Sequence, residues 1–159
     1  MMRNFFFATA AMMLSSTALA APPTQNDRAA LEQLAADLDR IWDGGDPAAV
    51  TVLYAKDGSV RMDGRTIAQG QDAVRRYFEE TIARRPANLR HVTVIENLDL
   101  LTPDLALADS FVRIEQEQPG GGRRVLGEFR TPTIAVREDG KWRFRAVRAH
   151  RLPPTKPAA

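Results

Sequence analysis

Residues 124–151 read RVLGEFRTPTIAVREDGKWRFRAVRAHR, and the spacing of apolar residues in this stretch decides the fold. Ile134 and Val136 alternate with other side chains, Trp142 and Phe144 do the same, and Glu138-Asp139-Gly140 between them has turn chemistry. Alternation on both sides of an Asp-Gly turn reads as an antiparallel hairpin with one face toward a core. The same period holds further back, in 105–117 and 91–100, with breaks at Thr102-Pro103-Asp104 and at Pro119-Gly120-Gly121-Gly122. Four strands, about 91–100, 105–117, 124–137 and 141–151, therefore succeed one another through short turns.

Before Pro86 the period is helical instead. Leu31, Leu34, Leu38, Ile41 and Trp42 make one apolar stripe that starts after a cap at Asn26 and stops at Gly44-Gly45. Asp46-Pro47 opens a short second helix with Val50, Leu53 and Tyr54 inward. A small hairpin comes next, 59–62 and 66–68 about Asp63-Gly64. A third helix from Gln71 carries Val74, Phe78 and Ile82 on one face and stops at Pro86. Three helices and then antiparallel strands predict an α+β fold, the helices packed on one face of a curved sheet.

The first twenty residues belong to none of this. Arg3, an apolar run over 5–14 and the tripeptide Ala18-Leu19-Ala20 form a secretory signal peptide with a small-x-small cleavage site. The expected mature chain starts at Ala21, is exported to a periplasm or the medium, and consists of a leader (21–26), one domain (27–151) and a disordered tail (152–159). No later segment approaches the roughly 20 apolar residues a membrane span needs. The chain has no cysteine, so export brings no disulfide framework and packing alone must hold the domain.

Of the 22 basic residues all but Lys56, Lys141 and Lys156 are arginine, against 20 acids. They are interleaved with those acids from Arg28 to Arg151, which argues against a nucleic-acid surface. His91 and His150 are the only histidines and no His/Asp/Glu run has ligand spacing, so no metal is expected, and no cofactor either. The glycines at 120–122 lie in a hairpin with no helix after it, unlike a phosphate-cradling loop. Ser59 and Ser110 do not sit on a strand-to-helix elbow, so no serine nucleophile is expected.

Four stretches in order carry a family resemblance: Ile41-Trp42-Asp43-Gly44-Gly45-Asp46, Leu53-Tyr54-Ala55-Lys56-Asp57-Gly58, Gly70-Gln71-Asp72-Ala73-Val74 and Glu138-Asp139-Gly140-Lys141-Trp142-Arg143-Phe144. The chain resembles the SnoaL-like, or nuclear-transport-factor-like, superfamily, which includes the ketosteroid isomerases. The resemblance implies a cone-shaped half-barrel with a pocket at its wide end, used in that superfamily for isomerisation, cyclisation, dehydration, hydrolysis or plain binding. Laid on ketosteroid isomerase, the catalytic base falls on Met62, with Asp63 one residue too late and so on the opposite strand face. The oxyanion tyrosine falls on Leu38. That activity is not expected.

Strand register suggests a site. If Ile134 and Val136 share a face with Trp142 and Phe144, the hairpin loop holds an odd number of residues, and residue 130 then lies opposite 150 and 132 opposite 148. Glu128, Arg130, Arg148 and His150 then gather at the pocket end, where they can bind a small anion or act as acid and base. Trp42, Tyr54 and Met62 are candidate wall residues, as are Phe78, Trp142 and Phe144, although a domain of this size needs most of its aromatics as core. The same alternation turns Phe129, Val147 and Ala149 outward with Leu105, Leu107 and Phe111, an apolar convex patch crossed by Arg113, Arg143 and Arg145 that predicts a homodimer. Three readings stand: an exported binding domain for a small, partly apolar molecule, a cofactor-independent acid/base enzyme (isomerase, cyclase, dehydratase or hydrolase), and a dimeric interaction module.

Overall fold

The structure is a computed structural model and describes residues 23–154; the expected signal peptide, residues 21–22 of the leader and residues 155–159 of the expected tail lie outside the described residues. Helix α1 (Gln25–Trp42) starts at Thr24, two residues before the expected cap, where the Thr24 hydroxyl accepts from the Asp27 N–H at 3.2 Å. Its stripe of Leu31, Leu34, Leu38 and Ile41 is buried as the spacing requires. Asp46 caps the next segment by accepting from the Ala48 N–H at 2.9 Å. That segment, the expected second helix, is a 3₁₀ turn, Pro47–Val52, six residues long, too short to gain from α-helical pairing before the chain straightens.

Strands β1 (Tyr54–Met62) and β2 (Arg65–Gln69) form the small hairpin, and α2 (Gln71–Arg84) packs Val74 and Phe78 into the core. The Gln71 side chain ties the start of α2 to the preceding turn, its Nε2 donating to the Thr51 carbonyl at 2.9 Å and the Tyr54 carbonyl at 2.6 Å. Four long strands complete the chain: β3 (Leu89–Thr102), β4 (Leu105–Glu117), β5 (Arg123–Glu138) and β6 (Lys141–Arg151). The sheet order is β2-β1-β6-β5-β4-β3. Every neighbouring pair is antiparallel except β1 and β6, which run parallel; the long excursion through α2 and four strands supplies the crossover that a parallel pair needs. The architecture is thus α+β, helices on one face of an open, curved six-stranded sheet.

The face assignment in the last hairpin needs correction. Asp139 and Gly140 form a two-residue loop, with φ of 52° and 74°, between the paired residues Glu138 and Lys141. Positive φ at both loop residues is the type I′ geometry that fits strand twist. An even loop sets Ala135 opposite Phe144 and Arg137 opposite Trp142. Ala135, Thr133, Thr131 and Phe129 consequently face the helices and are buried, while Ile134 and Val136 turn to the convex side and are half-buried. A bulge comes next: Ile134 pairs with Ala146, so Arg145 is an extra residue in β6. Beyond it Val147 and Ala149 face inward, not outward as the alternation suggests. Extra residues at Glu96 in β3 and Leu126 in β5 break the other ladders in the same way, and such bulges bend a sheet.

Candidate functional site

The curved sheet and the two helices enclose a cavity of about 300 Å³, at the lower end of the roughly 300–1,000 Å³ typical of ligand pockets. Each bulge-shifted strand gives it alternate residues: His91, Thr93 and Ile95 from β3, Ala108, Ser110, Val112 and Ile114 from β4, Phe129, Thr131, Thr133 and Ala135 from β5, and Phe144, Val147 and Ala149 from β6. Leu31, Ala35, Leu38 and Trp42 of α1 and Tyr77, Phe78 and Thr81 of α2 close it from above. Val60 and Met62 enter from β1. Trp42 stacks on the His91 ring at 5.5 Å with 10° between planes, and meets Phe78 at 4.7 Å and Tyr77 edge-on at 6.2 Å.

A polar cluster stands at one end of this largely apolar wall. Asp39, near the end of α1, faces β3, and its carboxylate collects three contacts there. His91 Nδ1 lies 2.6 Å from Oδ1, the Thr93 hydroxyl donates to Oδ1 at 2.7 Å, and the Thr93 N–H donates to Oδ2 at 2.9 Å. Asp43, one helical turn later, accepts the His91 N–H at 2.6 Å and the Arg90 guanidinium at 3.3 Å. A carboxylate on Nδ1 fixes the imidazole orientation and leaves Nε2 as the free ring nitrogen of the neutral form. Both side chains are largely covered, 13% exposed for His91 and 19% for Asp39. Arg85 and Arg90 belong to the same end of the lining. Burial raises the phenol pKa of Tyr54 and of Tyr77, so both stay neutral at ordinary pH.

Of the residues singled out from the sequence, Trp42, Tyr54 and Met62 line the cavity. Leu38 lines it too, whereas Asp63 lies in the β1–β2 turn and accepts the Arg151 N–H at 2.9 Å. Arg130 does pair with His150 across β5 and β6. The odd-loop premise fails, and the Arg145 bulge adds back the residue that the shorter loop removes. Glu128, Arg130, Arg148 and His150 are nevertheless not part of the lining, because their inward neighbours are Phe129, Thr131, Val147 and Ala149. Arg130 instead pairs with Glu96 and covers the Phe111 ring at 5.2 Å. Arg148 donates to the Ser59 hydroxyl at 3.0 Å, and desolvation, with Arg61 beside it, lowers its pKa from the usual arginine value.

Sequence reasoning misses Asp39 and its pairing with His91. The signal is present: Ala35, Asp39 and Trp42 succeed one another at helical spacing, so Asp39 lies on the border of the apolar stripe. His91 and Thr93 share a face with Ile95 by strict alternation.

Fold and cavity together define a cone-shaped α+β domain with a pocket between helices and sheet. Residues 23–148 match the SnoaL-like domain, and the chain belongs to that family. No curated protein matches it. Among solved structures, Aln2 from a Streptomyces species is similar at 17% identity and TM-score 0.74, covering 82% of this chain and 94% of that one. A Nostoc punctiforme protein of unknown function with a cystatin-like fold is similar at 19% identity and TM-score 0.71, covering 84% and 96%. A Catenulispora acidiphila protein solved in complex with S-DNPA is similar at 22% identity and TM-score 0.67, covering 78% and 92%.

Proposed function

We propose that this chain is an exported domain that binds a small, largely apolar molecule inside the cone. The observation that carries this reading is the cavity itself: aliphatic and aromatic side chains form most of its wall, and the polar groups fall in separate places, with His91 and Thr93 at one end and Ser110, Thr131 and Thr133 further along the sheet. The Catenulispora acidiphila neighbour, solved with S-DNPA, lends it support. Naphthalene serves as the probe. Its titration is expected to change the fluorescence of Trp42 saturably at one equivalent, and Ala149→Phe, which fills the cavity from β6, is expected to weaken binding at least about tenfold. Absence of saturable binding to the folded protein would sink the reading.

The Asp39–His91 pair favours a second reading in which the same pocket performs proton transfer without cofactor. An imidazole oriented by a carboxylate and placed against an apolar cavity is the arrangement of a general acid or base.

The convex face supports a homodimer. Leu105, Leu107, Phe111, Ile134 and Val136 all remain half-buried on it, and Val94 is 49% exposed, so a twofold partner has apolar surface to cover.

A further inference from the structure

Thr131 on β5 and Ser110 on β4 are directly paired in register, and both line the cavity although they are only 7% and 6% exposed. The Thr131 hydroxyl is buried and has no hydrogen-bond partner among the described residues. Thr133, two residues on, already donates its hydroxyl to the Thr131 carbonyl at 3.3 Å, so Thr131 stands apart from it. A buried hydroxyl without a partner costs about 1–3 kcal/mol, and folded proteins rarely leave one so without a use.

The position of the pair is informative. Ser110 is paired with Ile95 on β3, four residues beyond His91, which at about 3.3 Å per residue puts the hydroxyls roughly 13 Å further along the sheet than the histidine. Around them the wall is Ile95, Met62 and Ala149, without an opposite charge. A carboxylate or an ammonium group there would lie desolvated and unpaired, which is costly. A neutral oxygen would not.

We propose that the molecule bound in the cone carries a neutral oxygen function, a hydroxyl or a ketone, on the part that lies past His91 along the sheet, where Ser110 and Thr131 hydrogen-bond to it. This rests on the binding reading above and names the class of ligand. Either hydroxyl donates or accepts, and one χ1 step exchanges the Thr131 hydroxyl with another staggered position. Skeletons without oxygen bind only by area; the oxygen adds selectivity because the buried Thr131 hydroxyl is otherwise left unmet.

Naphthalene and 2-naphthol test this on the purified protein, with Thr131→Val and the double variant Ser110→Ala/Thr131→Val beside the parent. The parent is expected to prefer 2-naphthol over naphthalene by about tenfold. The preference is expected to be reduced in Thr131→Val and gone in the double variant. Thr131→Val is expected to unfold at the same temperature as the parent or a higher one, since it removes an unpaired buried hydroxyl. Equal binding of the two probes to the parent, survival of the preference in the double variant, or a loss of stability in Thr131→Val would each overturn the proposal while leaving the pocket reading in place. Failure of both probes to bind would remove the pocket reading and this one with it.

Discussion

Asp39 is the residue on which the site and the fold depend together. Its carboxylate accepts from the Thr93 N–H and hydroxyl and meets His91 Nδ1, so it joins α1 to β3 as well as orienting the ring. Asparagine has the same shape, but with its oxygen kept on the Thr93 N–H its amide must donate to His91 Nδ1 and the Thr93 hydroxyl, which reverses the imidazole tautomer and removes the carboxylate's charge from these contacts. Asp39→Asn is expected to cost about 1–3 kcal/mol in urea denaturation and to abolish any proton transfer supported by His91. A variant as stable as the parent would show that the three contacts are not structural. This residue is legible in the sequence only as a polar residue on a stripe border; its partners come from a strand about fifty positions away, and only the fold brings them together.

At the level of elements, the sequence identifies the four long strands β3 to β6 and both α-helices, because apolar period and turn chemistry are local, but it starts β1 at 59 and leaves Tyr54 in a helix, whereas the strand begins at Tyr54. It misassigns the faces of β5 and β6, because a face depends on counting, and one residue in a loop or a bulge reverses it. The two errors in that hairpin cancel for the pairing of Arg130 with His150 but not for the faces, which put Arg130, Arg148 and His150 outside the cone and Phe129, Val147 and Ala149 inside it. The 3₁₀ segment is also out of reach, since Val50 inward over so few residues fits either helix type. The start of α1 carries a pH effect. The Thr24 hydroxyl donates to Asp27 at 2.7 Å, and this bond, helped by Arg137 against the effect of burial, holds the Asp27 pKa below its unfolded value of 3.8. A lowered carboxylate pKa contributes stability above the unfolded value and loses it as pH falls through the folded one. Asp27→Asn is therefore expected to be less stable than the parent at pH 7 and indistinguishable from it once the pH is well below 3.8, as read by denaturation at both ends. A gap that persists in acid would contradict the ionic account.

At the scale of the whole molecule, light scattering checks the convex-face dimer. A mass of two chains is expected for the parent at micromolar concentration, and one chain for Ile134→Glu, which would bury an unpaired charge in the interface. A parent mass of one chain at all concentrations would leave the face to solvent. The same preparation, expressed from residue 1 and exported, is expected to begin at Ala21 by N-terminal sequencing; retention of residues 1–20 in the cell interior would count against export. The bulge at Arg145 decides how this chain tolerates the loss of a residue. Loss of one codon within a strand normally turns every later side chain to the other face. At Arg145 it would not, because the residue is already surplus to the ladder: Phe144 would still point into the cone, Val147 and Ala149 would join it there, and Arg148 and His150 would stay outside. A deletion at that codon would flatten the sheet and spare the pocket's chemistry, whereas the same deletion two codons later, at Val147, would turn Arg148 and His150 toward the apolar interior.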